Sequence, residues 1–155
     1  MGPIDENMAD TRHLPGPELR RLYCAWAEGG ARLILTGNVM VAAEVVTGPA
    51  GVILDAAQPL EPFREWAEAG RVSGVRLWMQ INHSGRQVYV STNPQAIAPS
   101  AVPVAIEGYA LLFAKPRAMT DADINEVIHR FADTAAWPNR RASMACRSMP
   151  PTAIC

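Results

Sequence analysis

The sequence predicts an α/β fold built on a parallel sheet, and three observations carry that prediction. Two continuous apolar runs, residues 33–41 and 75–81, lack the polar alternation of a half-exposed strand and read as strands covered on both faces. Amphipathic segments of helical period precede, separate and follow them, at 17–28, 60–69 and 120–135. Helix, strand, helix, strand, helix is the rhythm of βα units. Pattern alone does not separate an open doubly wound sheet from a barrel.

Each element has its own local reason. Pro17 suits a first helical position, Gly29 and Gly30 supply a stop, and Leu19, Leu22, Tyr23 and Trp26 share one apolar face. Cys24 falls on the buried side of the same helix and reads as packing. The first strand, 33–41, contains Thr36-Gly37-Asn38 and leads into a Gly/Pro loop at 47–51 and a short extended piece at 52–55. The second helix turns Phe63 and Trp66 inward and ends at Gly70. The strand at 75–81 opens into the polar turn 82–87, followed by a long connection, 88–118, rich in proline and small residues. Thr120 and Asp123 have the spacing of a capping box, and Ile124, Val127, Ile128, Phe131 and Ala135 continue as one stripe.

Composition narrows the function. The chain has 155 residues, 49% of them hydrophobic, enough for one domain with a real core. A net charge of −1 gives no footprint for nucleic acid or an anionic membrane. Its apolar runs are too short to span a bilayer and its first residues do not resemble a signal peptide, so a cytoplasmic protein is the expectation. Cys24, Cys146 and Cys155 form neither a disulfide framework nor a zinc pattern, and no metal site is expected. No Gly-x-Gly-x-x-Gly or phosphate-loop motif is present.

The informative segment is Gln80-Ile81-Asn82-His83-Ser84-Gly85-Arg86-Gln87. A glutamine at the carboxyl end of a buried parallel strand sits where α/β folds place ligands, and its amide offers a donor and an acceptor to an imide edge. The plainer reading is a glutamine that caps loop backbone, with His83 a loop hydrogen-bonding residue.

This segment resembles the Gln-Leu-x-His-x-Gly-Arg-Gln stretch of Old Yellow Enzyme-type NADH:flavin oxidoreductases. Four further pieces agree in order: 33–41 with that family's second strand, 64–70 (REWAEAG) with the following helix, 98–103 (APSAVP) with a loop, and 116–120 (PRAMT) with the opening of the third helix. Together they cover residues 4–136. The resemblance implies a partial (β/α)8 TIM barrel, about strands 2–3 and helices 1–3, with FMN at the carboxyl ends of the strands. It implies that Gln80 hydrogen-bonds the flavin pyrimidine, that Gly37 and Asn38 let the second-strand backbone approach the ring, and that Pro3, Ile4 and Asp5 lie near the first strand's flavin-contacting end. Asp5 departs from the family's usual residues there, and the chain begins where that first strand should be ending. The implied activity is reduction of an activated C=C bond such as an enone, with NAD(P)H as the hydride source and FMN as its carrier. The alkene, the choice of NADH or NADPH and the oligomeric state are not legible.

From Trp137 the chain loses acidic residues and hydrophobic period, and Pro138 should cut the third helix. Residues 1–136 therefore read as the barrel segment and 137–155 as an irregular tail, either disordered or translated out of frame. The genetic code tests the second possibility. In codons made of the last base of one residue and the first two of the next, Trp137-Pro138 gives alanine, Met144-Ala145 glycine and Met149-Pro150 alanine. The remaining positions all admit LAEQAGFDGVQVHAAHGYL, which resembles the family's fourth strand with its two substrate-holding histidines and its tyrosine. Met149, Thr152 and Ile154 occupy those three registers here. No residue present is assigned a catalytic role, and the chain as written is expected to fold poorly and turn over little or nothing. The rival expectation is a non-catalytic remnant that keeps a flavin- or partner-binding surface.

Overall fold

A proline that pre-sets the helical φ and a pair of glycines bracket α1, Pro17–Glu28, in the computed structural model, which describes residues 5–141 and 145–148. Gly30 takes φ 89°, the left-handed conformation that favours glycine. The face buried by α1 is Leu19, Tyr23 and Ala27, one per turn, with Leu22 and Trp26 only partly covered. Cys24 is half-buried beside that face.

The strand β1, Leu33–Met40, follows. A 3-10 turn at Ala43–Val45 and the two-residue strand β2, Val52–Ile53, lead to α2, Glu61–Ala69. Phe63 and Trp66 of α2 are buried as the periodicity predicts. Gly70 ends the helix with φ −77°, so its glycine is not required by a left-handed cap. A Cβ there would lie 2.9 Å from Leu77 Cδ2 and 3.4 Å from Tyr23 Cδ1, so a larger residue would have to displace the Leu77 side chain.

Arg76–Asn82 form β3. The connection read from sequence as irregular holds two short parallel strands, β4 at Gln95–Ala98 and β5 at Lys115–Ala118. Val88, Ala96 and Ala114 pack beneath them as a small separate cluster, and Tyr89 stacks on Phe113 at 5.2 Å. The third helix, α3, is Asp121–Arg141. Its capping box is formed: Asp123 N–H donates to Thr120 Oγ1 at 3.2 Å and Thr120 N–H to Asp123 Oδ2 at 2.8 Å. Arg117 adds a fork of 2.6 and 2.8 Å to the same carboxylate and holds it below the usual carboxylate range.

Two boundaries differ from the sequence reading. The helix does not stop at Pro138 but continues to Arg141, since a proline removes one backbone donor without forbidding the turns around it. Four residues assigned to the irregular tail, Ala145–Ser148, form a strand, β6, parallel to β3.

The main sheet has the order β2-β1-β3-β6, and every pair in it is parallel. One core joins the inward faces of α1 and α2 to β1, β2 and β3, with Phe131 and Ala135 of α3 packed against it. The described strands form an open parallel sheet, which agrees with the partial TIM barrel that the family resemblance implies. Ile124 and Ile128, on the stripe of α3, are exposed. Among the described residues no helix is long and apolar enough to cross a membrane.

Candidate functional site

Parallel pairing brings the carboxyl ends of β1 and β3 side by side, and the pairing is irregular at one point. Leu35 pairs with Trp78 and Asn38 with Gln80, so Thr36 and Gly37 together oppose Met79 alone. This is a β-bulge, which leaves ladder groups unmatched and re-aims the side chains beyond it. Here side chains satisfy those groups. Gln80 N–H donates to Thr36 Oγ1 at 2.9 Å, and the same hydroxyl donates to Gly37 O at 2.7 Å. Gly37 N–H is shared between Glu6 Oε1 and the Tyr23 hydroxyl, each at 3.2 Å. Tyr23 O–H in turn donates to Glu6 Oε1 at 2.6 Å.

Beyond the bulge, Gln80 Nε2 donates to Asn38 Oδ1 at 2.8 Å, bringing together two residues assigned to the site from sequence. Gln80 is 4% exposed, and its Oε1 has no hydrogen-bond partner. An orphaned amide oxygen at the carboxyl end of a parallel strand suits a ligand that presents an N–H, such as the imide edge of a flavin. Gly37 lies in the bulge itself, with its N–H committed to Glu6 and Tyr23. Asp5 accepts from Thr47 Oγ1 at 2.7 Å and so ties the amino-terminal segment to the loop after β1. Pro3 and Ile4 lie outside the described residues.

Sequence reasoning missed Thr36, Glu6 and Tyr23. Tyr23 was legible only as one member of an apolar helix face, and no periodicity marks the partner of a buried hydroxyl. His83 is a loop-holding residue: its Nδ1 accepts Gly85 N–H at 3.0 Å. Burial, with Arg130 nearby, pushes its pKa down to about 4, so the ring is neutral at pH 7. Arg130 bridges Glu44 and Glu126 across a cleft of about 230 Å³ that His83, Asn93 and Arg117 also line. No cluster of metal-ligating side chains occurs among the described residues.

Thr36 is fully buried and serves the bulge as acceptor and donor at once. Thr36→Val keeps the shape and strands Gln80 N–H, and the expected loss is about 1–3 kcal/mol in urea unfolding. A variant as stable as the parent would mean that the bulge finds another acceptor.

No protein-family model matches the chain. Curated relatives do. The NADH-dependent flavin oxidoreductase iliE of Neonectria sp. (strain DH2) is 36% identical over 146 residues, 84% of this chain and 19% of that protein. The NADH oxidase of Thermoanaerobacter brockii is 34% identical over 138 residues, 87% of this chain and 20% of the relative. The NADH-dependent flavin oxidoreductase nadA of Aspergillus parasiticus is 32% identical over 141 residues, 87% and 32% of the two chains. Over most of its length this chain is similar to NADH-dependent flavin oxidoreductases. It spans only about a fifth to a third of the length of those relatives. In fold, the Old Yellow Enzyme homologue of Zymomonas mobilis matches with a TM-score of 0.80 at 19% identity, covering 96% of this chain and 42% of that one. The structure of TcOYE with pHBA matches with a TM-score of 0.81 at 19% identity, covering 96% and 46%.

Proposed function

We propose that this chain carries part of an FMN site of an NAD(P)H-dependent ene-reductase, with Gln80 and Asn38 on the flavin edge and the Gly37 backbone, Pro3, Ile4 and Asp5 nearby. The observation that carries the reading is the buried, unpartnered Oε1 of Gln80 at the carboxyl end of β3. That oxygen accepts the imide N–H, while Asn38 Oδ1 holds the Gln80 amide in the accepting orientation. When bound, FMN supplies hydride transfer between NAD(P)H and an activated C=C bond such as an enone. The chain's own residues bind and orient the flavin.

We read residues 137–155 as translated out of frame. Met149, Thr152 and Ile154 then stand where the family pattern has two histidines and a tyrosine, and turnover by this chain is lost. Those same registers favour the second reading, a remnant that retains a flavin- or partner-binding surface without catalysis. The cytoplasm is the proposed location, since NADH is supplied there.

Titration with FMN, followed by flavin fluorescence and visible absorbance, tests the site. Gln80→Leu is expected to weaken binding about tenfold, as loss of one hydrogen bond to a buried polar group does. Equal affinity in parent and variant would remove Gln80 from the site. A flavin-coloured, monodisperse preparation that never oxidises NADH against an enone would support the remnant, and enone turnover by this chain would refute the claim of inactivity.

A further inference from the structure

We propose that Glu6 and Tyr23 are positioning residues: together they hold the Thr36–Gly37 bulge of β1, and the bulge sets Asn38 beside Gln80. The inference rests on reading Gln80 and Asn38 as the ligand-facing pair.

The argument starts from the ladder. One extra residue in β1 turns a backbone N–H away from β3, and a buried N–H without a partner is costly. Gly37 N–H finds two oxygens, neither from the sheet: Glu6 from the amino-terminal segment and Tyr23 from α1. Without them, β1 gains by expelling the bulge and pairing regularly. A one-residue slip in a strand sends every later side chain to the opposite face. Asn38 would then turn away from Gln80, and the amide that holds Gln80 Nε2 would be lost.

Tyr23 is itself fixed. Its ring lies 5.0 Å from the rings of both Trp26 and Trp66, which leaves the hydroxyl a single direction, toward Glu6 and Gly37. Burial raises the Glu6 carboxyl above its usual value while its hydrogen bonds oppose the rise, and burial raises the Tyr23 phenol as well. The pair meets the bulge through its hydrogen bonds to Gly37 N–H and to each other.

Amide hydrogen exchange read residue by residue, with FMN titration on the same proteins, tests this on the full chain. Glu6→Ala is expected to speed exchange at Gly37 and Gln80 at least about tenfold relative to Ile34 and Leu77 in the same strands, and to weaken FMN binding by a similar factor. Tyr23→Phe keeps the ring between the tryptophans and should give the same local pattern at smaller size, about threefold. Glu6→Gln keeps an oxygen that accepts from both donors and should restore exchange and binding to near the parent. Exchange that rises evenly along β1 and β3, or that stays unchanged, or that Glu6→Gln fails to restore, overturns the proposal. If the parent binds no FMN, the flavin reading fails, and the exchange pattern still decides whether Glu6 and Tyr23 hold the bulge.

Discussion

Inserting one base at codon 136, and expressing the gene with its adjoining sequence at both ends, should convert a chain without turnover into one that oxidises NADH when an enone is supplied. The codon arithmetic fixes three residues of the shifted frame: one continues the third helix, and two agree with the family's fourth strand. The fold gives an independent reason. Backbone residues 145–148 already form β6 alongside β3, with Gln80 level with Arg147 and Ile81 with Ser148. In the shifted frame the codon spanning Ser148 and Met149 admits the first histidine of the family pattern, at the point in the sequence where β6 ends. The present frame supplies no imidazole or phenol in those registers. Restoring a group that polarises the substrate and one that delivers a proton is worth orders of magnitude, and turnover on the order of 1–10 per second is expected. Alkene-dependent NADH oxidation, measured at 340 nm, is the assay. A restored protein that holds flavin and reduces no activated alkene would end the ene-reductase reading. One that holds no flavin would end the assignment of Gln80 as well.

Much of the fold was legible because its signals are local. Apolar period and caps located α1 and α2 to within a residue, and the Thr120–Asp123 box located the start of α3. Unbroken apolar runs found β1 and β3. What stayed hidden depends on pairing between distant segments. β4 and β5 are four residues each, one of them contains Pro116, and neither shows an alternation long enough to read. The site divides the same way. Gln80 was visible as a polar residue ending a buried strand, and Asn38 came with the family resemblance. The bulge was not visible, because an extra residue exists only relative to the partner strand. Nor was Glu6, whose partner Tyr23 lies 17 residues away and shares its helix face with apolar neighbours.

Trp66→Ala should cost about 3–5 kcal/mol, the range for removing a large aromatic from a core, against a total stability of about 5–15 kcal/mol for a typical domain. Trp66 is 1% exposed and meets the Tyr23 ring edge-on at 5.0 Å and 75°. Its Nε1 is buried without a partner, an unfavourable contribution that the substitution also removes, so the lower end of the range is expected. Trp66→Phe separates the two effects. It deletes the orphaned donor and keeps a ring against Tyr23, and a loss of only about 1 kcal/mol is expected because ring packing is worth more here than the indole N–H. Urea unfolding followed by far-UV circular dichroism measures both. A loss below about 1 kcal/mol for Trp66→Ala would mean that α2 is not seated on the core as the structure has it. The consequence reaches the site. With Trp66 gone, Tyr23 has space to swing, the hydroxyl leaves Gly37, and the bulge that aligns Asn38 with Gln80 loses one of its two oxygens. Trp66→Ala should therefore weaken flavin binding even in the fraction that stays folded, whereas Trp66→Phe should leave it intact.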